Sequence, residues 1–291
     1  MKFSVSSYSY HQKLTSGEMT QLDTVKKAHE MGFDGIELTD LKPCEDPTLE
    51  QQLAYAKEIR AEAEKYGMEI VAYTIGANLY HRTEEGSAKE VERLKGQLDV
   101  AAALGAKLMR HDVCYSERHD GLLVSFAQML PTIARNAREV TAYAQTLGIR
   151  TCTENHGFIA QDSDRVELLF NTVAHENYGL LIDMGNFACA DENSIKAVSR
   201  LAPYAIHVHA KDFRFYPFGT PTPEGVFALC TRGCNHIIGC SVGEGDIPVA
   251  QCVAILERIG YDGYLSIEYE GAEDCIEGIA KGLAYLKSIV K

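Results

Sequence analysis

No stretch of the 291 residues is apolar and long enough to cross a membrane. The opening segment, MKFSVSSYSYHQ, has no apolar run, so a signal peptide is not expected and a cytoplasmic location is. Positive charge is scarce: 28 Lys and Arg stand against 41 Asp and Glu, a formal charge of −13. Phosphate backbones need clustered Lys and Arg, so nucleic acid is excluded as a general partner. A small neutral substrate is not. There is no CxxC among the nine cysteines, an odd number that fits reduced thiols. The one cluster, Cys230, Cys234 and Cys240 with His236 among them, lacks zinc-knuckle spacing and reads as free thiols. No GxGxxG follows the first strand pattern, which argues against a dinucleotide-binding doubly wound sheet. No linker or low-complexity segment divides the chain, so one domain over residues 1–291 is expected.

What is present is a repeat punctuated by glycine. EMGF (30–33), KYGM (65–68), ALGA (103–106), TLGI (146–149) and RIGY (258–261) each close an amphipathic run and open a short apolar one. Glycine suits the left-handed position just past a helix end. The first four marks lie roughly 35 to 45 residues apart, the period of a βα unit. Strands are expected at GIEL (35–38), EIVAY (69–73), KLMRH (107–111), IRTCTE (149–154) and YLSIE (264–268). FSVSSYS (3–9) supplies a first strand, and GLLID (179–183) and AIHVH (205–209) fill the gap. Eight strands, each followed by a helical pattern, predict an α/β fold, a single-domain (β/α)8 TIM barrel. Residues 211–246 are long for a connector and are expected to form a loop over the active site that excludes water.

Strand alternation places chemistry on one face. Leu180 and Ile182 share one side of GLLID while Asp183 ends the other. Ile206 and Val208 oppose His207 and His209; Leu265 and Ile267 oppose Ser266 and Glu268. Glu154 in TENHGF ends strand five, Asp183 strand six, His209 strand seven and Glu268 strand eight. Barrel chemistry sits at this C-terminal rim. Three carboxylates in one small volume repel one another unless a cation sits among them. Three oxygens and an imidazole suit Mn²⁺, Mg²⁺, Co²⁺ or Zn²⁺, with positions open for substrate oxygens. His156 shares the direction of Glu154 if the strand continues, and is a second candidate base. Glu37 and His111 end strands two and four, Lys211 and Arg214 follow His209, and Arg232 lies on the long connector. All five are candidate substrate-binding residues, and Glu37 is alternatively one that orients a metal ligand. Glu270 reads as a rim carboxylate.

The chain resembles the xylose isomerase-like TIM barrels, the sugar phosphate isomerase/epimerase group, over nearly its full length. The motifs are GFDGIEL (32–38), TENHG (153–157), LLIDMGN (180–186), HVHAKDF (207–213), GEGDIP (243–248) and GYLSIEYEG (263–271). The resemblance implies one divalent metal, Mn²⁺ foremost, on Glu154, Asp183, His209 and Glu268. It implies that Glu154 and Glu268 also exchange the substrate proton, and that a homodimer or homotetramer forms. Asn186 stands where related ketose 3-epimerases usually carry His, and His156 is outside their pattern. The expected activity is metal-dependent isomerisation or epimerisation of a ketose or related polyol ketone through an enediolate. A metal-dependent lyase, inosose dehydratase-like or 3-keto-glycoside-cleaving, is the alternative. The endonuclease-four type of DNA repair enzyme needs more ligands and a basic face. A non-catalytic sugar-binding role would have no use for two rim Glu residues poised for proton transfer.

Overall fold

The computed structural model describes residues 1–291 as a closed barrel of eight parallel strands. These are β1 (Lys2–Ser6), β2 (Gly35–Thr39), β3 (Glu69–Ile75), β4 (Leu108–His111), β5 (Arg150–Glu154), β6 (Tyr178–Asp183), β7 (Ala205–Ala210) and β8 (Tyr264–Ile267). Each strand neighbours the next in sequence, and β8 closes on β1 through Lys2↔Tyr264 to Val5↔Ile267. Helices cover the outside, including Gln21–Met31, Leu49–Tyr66, Glu84–Leu104, Phe126–Thr146 and Cys275–Ile289. None is long and apolar enough to cross a membrane.

The glycine punctuation does what its chemistry allows. Gly32 and Gly105 adopt φ of 82° and 80°, and their N–H groups return to carbonyls of the helices they end. Strand β1 ends at Ser6, earlier than its sequence suggests, because the Ser6 hydroxyl accepts from Tyr8 N and starts a 3-10 turn over Ser7–Tyr10. The outer strand faces (Leu180, Ile182, Val208, Leu265, Ile267) join the helices in one large core. The inner face is apolar only in a small layer of Ala72, Leu108, Cys152 and Leu181. Above that layer the inward positions are Glu37, Arg110, Glu154, Asp183, His207 and His209, all buried.

The segment 211–246, expected to be a loop, contains short strands joined by turns. It carries a three-stranded antiparallel sheet of Asp212–Tyr216, His236–Cys240 and Leu229–Cys230. The pairing is between distant pieces, so no local period announces it. One contact fixes this sheet to the C-terminal rim and one gathers the turn that follows it. Gly239 bridges to Gly271, just past β8. The buried Asp212 carboxylate accepts from the backbone N–H groups of Phe213, Gly243, Gly245 and Ile247, gathering the GEGDIP turn around itself. Cys230 and Cys234 are exposed and Cys240 is buried; with His236 they form no metal-sized cluster.

Candidate metal centre

Ligand-type atoms of Glu154, Asp183, His209 and Glu268 all lie within 4.8 Å of one another. His209 Nδ1 is central. It sits 3.7 Å from Glu154 Oε1, 3.7 Å from Asp183 Oδ2 and 3.6 Å from Glu268 Oε2. Its other nitrogen, Nε2, is taken by Glu37, whose carboxylate also accepts from His207 Nε2 at 2.7 Å. Asp183 Oδ1 accepts from the N–H groups of Gly185 and Asn186 at 2.7 and 2.8 Å. Asn155 pairs with the Asp183 backbone through both its amide atoms, which locks the end of β6 beside β5.

Within the cluster two buried atoms are left without a hydrogen-bond partner, Asp183 Oδ2, with Lys211 Nζ 3.5 Å away, and His209 Nδ1. A buried polar atom without a partner is costly, so both are explained by a shared cation. The donor set agrees: hard carboxylate oxygens and one imidazole suit a divalent first-row metal or Mg²⁺. The electrostatics point the same way. Burial raises the Asp183 pKa above the ordinary carboxylate range, although Lys211 pulls against it. Burial would also raise Glu154 and Glu268, but Arg110 and His209 hold Glu154 low, and Lys211 and His209 hold Glu268 well below its usual value. Burial opposes a charge on His209, yet Glu37, Glu268 and Glu154 win and push its pKa well up. The cluster thus demands positive charge at its centre, from a proton or a metal.

The four are not equally free. Arg110 Nη2 donates to Glu154 Oε2 at 2.6 Å and Asn186 Nδ2 to Oε1 at 2.8 Å, so both oxygens of Glu154 are held. Glu268 is the most open, its side chain 11% exposed, with Lys211 Nζ 2.5 Å from Oε2. Lys211 also lies 3.5 Å from Asp183 and 3.2 Å from Glu270, and Glu270 accepts from Tyr8 Oη. Glu154 and Glu268 line the cleft above, with Arg110, Asp112, Tyr115, His156 and Lys211. Asp183 and His209 lie fully buried.

His156 reaches this cleft by a different route from the one its spacing implies. Strand β5 stops at Glu154, and His156 sits in a turn that bridges to Ala160. Its Nδ1 meets Asp112 Oδ1 at 2.9 Å, and Asp112 is held by Arg110 at 2.9 Å and by the Tyr115 hydroxyl at 2.8 Å. Burial would raise Asp112, but Arg110 and His156 bring it down to about 2. Burial works against a charge on His156, but Asp112 outweighs it and raises the imidazole pKa.

Four expected substrate residues are placed otherwise. His111 is buried outside the cleft, its Nδ1 against the Asp112 carbonyl, because Arg110 takes the inward position on β4. Arg214 is exposed on the Asp212–Tyr216 strand and lines neither part of the cleft. Arg232 donates to Asp162 and to the Phe158 carbonyl, so it ties the excursion to the turn after β5. Glu37 is fully buried and meets His209 and His207 rather than the cleft, the position of a residue that orients a ligand and not of one that binds a sugar hydroxyl. Lys211 and Glu270 both line the cleft. Sequence reasoning missed Arg110, Asp112, Tyr115 and Tyr8. An arginine inside the KLMRH strand pattern was the one available signal.

A profile described as xylose isomerase-like TIM barrel matches residues 25–289. The inosose dehydratase of Clostridium perfringens (strain 13 / Type A) is 24% identical over 251 residues, 82% of this chain and 78% of that protein. Among solved structures, D-psicose 3-epimerase from Clostridium cellulolyticum H10 with D-tagatose superposes with a TM-score of 0.76 at 16% identity, covering 100% of both chains. The IOLI protein with a binding zinc atom gives a TM-score of 0.75 at 17% identity, covering 100% of this chain and 98% of that one.

Proposed function

Because the chain belongs to the xylose isomerase-like TIM barrel family, we propose that it is a divalent-metal-dependent isomerase or epimerase of a ketose or related polyol ketone. The observation that carries this reading is the four-residue cluster, with Asp183 Oδ2 and His209 Nδ1 both buried and unpartnered. Glu154, Asp183, His209 and Glu268 would hold the metal, with Mn²⁺ the first choice and Mg²⁺, Co²⁺ and Zn²⁺ of matching preference. Bound there, the ion supplies Lewis-acid charge to substrate oxygens and makes the proton next to a carbonyl removable.

The protein groups divide the remaining work. Glu268 is open to the cleft and suits the proton carrier; Lys211 at its Oε2 keeps it ionised and ready to accept. Glu154 flanks the same space, and its proton role requires Arg110 or Asn186 to yield an oxygen. His156, backed by Asp112, presents its imidazole to the cleft as a second acid or base. Return of the proton to the opposite face gives epimerisation; return to the neighbouring carbon gives isomerisation.

A second reading is favoured by the His156–Asp112 pair. A raised imidazole pKa suits protonation of a departing group β to the carbonyl, which gives a metal-dependent lyase. The inosose dehydratase relative fits this alternative. Deuterium uptake from D₂O across ketoses, inososes and 3-keto-glycosides, with and without Mn²⁺, tests both. Metal-dependent exchange next to a carbonyl supports the common step, and the products separate the two readings. No exchange with any of them would sink both.

A further inference from the structure

The cleft at the barrel mouth has two lobes. The inner lobe, about 350 Å³, contains Glu154, Glu268, Arg110 and His156. The outer lobe, about 480 Å³, adjoins it, and Tyr8, His156, Lys211 and Glu270 line both. The two differ in chemistry. The outer wall is made by Phe158, Phe213, Phe227, Leu229, Ile237 and Ile238, five of them supplied by the excursion after β7.

Three amide side chains of the outer lobe, Gln12, Gln161 and Asn186, have their hydrogen bonds committed elsewhere, while His11 Nδ1 is buried there without a partner. Gln12 donates to the carbonyls of Gly271 and Glu273 and accepts from Cys275 N. Gln161 donates to the carbonyls of Asn155 and Asn186 and accepts from Phe158 N. Asn186 is held between Glu154 and Lys211. Against the wall of Phe158, Phe213, Phe227, Leu229, Ile237 and Ile238 sugar hydroxyls would exchange water for few partners, whereas apolar carbon would lose nothing.

Phe158 is set in place with some effort. Its φ is 66°, a left-handed backbone that bulky residues rarely adopt. Gln161 accepts from its N–H and Arg232 donates to its carbonyl, which holds that conformation. Phe227, which lines the same lobe, is 83% exposed.

We propose that the outer lobe receives an apolar, ring-sized substituent of the substrate. The substrate class is then a conjugated polyol ketone, such as an aryl glycoside in its keto form, and not a free small sugar. This rests on the reading of the inner lobe as the polyol site. Continuity of the two lobes through Tyr8, His156, Lys211 and Glu270 sets one ligand across both. Arg232 acts as a positioning residue for the Phe158 wall.

Phenyl and methyl β-D-glucopyranoside test the idea on the full-length, Mn²⁺-loaded protein by calorimetric or saturation-transfer titration. Neither has a ketone, so binding is read without turnover. Burial of one ring against apolar walls predicts roughly tenfold or more tighter binding of the phenyl glycoside. Phe227→Ala and Phe158→Ala should shrink the phenyl-to-methyl ratio toward one. Arg232→Gln should shrink it as well, while melting normally. A wild-type ratio within about twofold of one overturns the proposal. So does a ratio untouched by the Phe variants, or Phe227→Ala dissolving a dimer in sedimentation without changing the ratio. Removing the metal separates this from the underlying reading. Methyl glycoside binding indifferent to metal speaks against the inner-lobe assignment, and a lost phenyl preference speaks against the outer one.

Discussion

Glu37 and His209 lie on strands that are not neighbours, yet His209 Nε2 sits 2.9 and 3.1 Å from the two Glu37 oxygens. The contact spans the barrel interior and commits Nε2, so Nδ1 is the nitrogen that faces Glu154, Asp183 and Glu268. Burial would raise the Glu37 pKa, but His209 and His207 hold it below the usual carboxylate range, so it stays anionic. An anionic acceptor behind a ligand imidazole fixes its tautomer and raises its basicity. Glu37→Gln should weaken metal binding about 10- to 100-fold, measured by calorimetry on chelator-treated protein. Unchanged affinity would remove Glu37 from this role.

Metal addition should stabilise the fold, since it binds the assembled cluster and not the unfolded chain. At a hundred times its Kd, Mn²⁺ should add about 2.7 kcal/mol and raise the Tm of chelator-treated protein. Asp183→Asn should abolish most of that shift. If Mn²⁺, Mg²⁺, Co²⁺ and Zn²⁺ all leave the Tm unmoved, the four residues do not form a metal site.

Glu268→Gln keeps an amide oxygen but cannot carry a proton. It should lose turnover on the order of a hundredfold or more while retaining some metal. His156→Asn removes the imidazole and keeps a hydrogen-bonding group, so the ranking of the two is informative. A near wild-type rate for Glu268→Gln beside a dead His156→Asn would transfer the proton work to His156 and favour the lyase.

Asp112 raises the His156 pKa by charge and hydrogen bond. Asp112→Asn removes the charge, so the His156 pKa should fall. As a base, His156 sets the acidic limb of the pH–rate profile; as an acid, it sets the alkaline limb. In either case that limb moves to lower pH, and imidazole NMR reads the same shift directly. A limb that stays in place would detach His156 from the chemistry.

Gly245 lies where a side chain has no room. An added Cβ would fall 2.6 Å from the Phe213 carbonyl oxygen and would collide with the Asp212 carboxylate. Gly245→Ala should therefore break part of the N–H cluster around Asp212 and cost about 2–4 kcal/mol, read as a lower Cm in urea. A neutral result would show that the GEGDIP turn can move away from Asp212 without loss.

The barrel and the four cluster residues were legible because both follow local rules. Helix-ending glycines mark five of the eight βα units, and period-two alternation puts Asp183, His209 and Glu268 opposite their apolar neighbours. The same rule failed at β4. Leu108 and Met109 are both apolar, so nothing in KLMRH says which of Arg110 and His111 points inward. Pairing of β4 with β5 settled it, bringing Arg110 to Glu154. Asp112 meets His156 across loops 44 residues apart, and Glu37 meets His209 across 172. The excursion after β7 gave no periodic signal because its strands are short and pair with distant segments. Sequence by itself determined the scaffold and which side chains end its strands, since those depend on neighbours along the chain. Tertiary structure decided which groups hold those side chains, which wall the cleft and which merely tie loops together, since those contacts form only when distant segments meet.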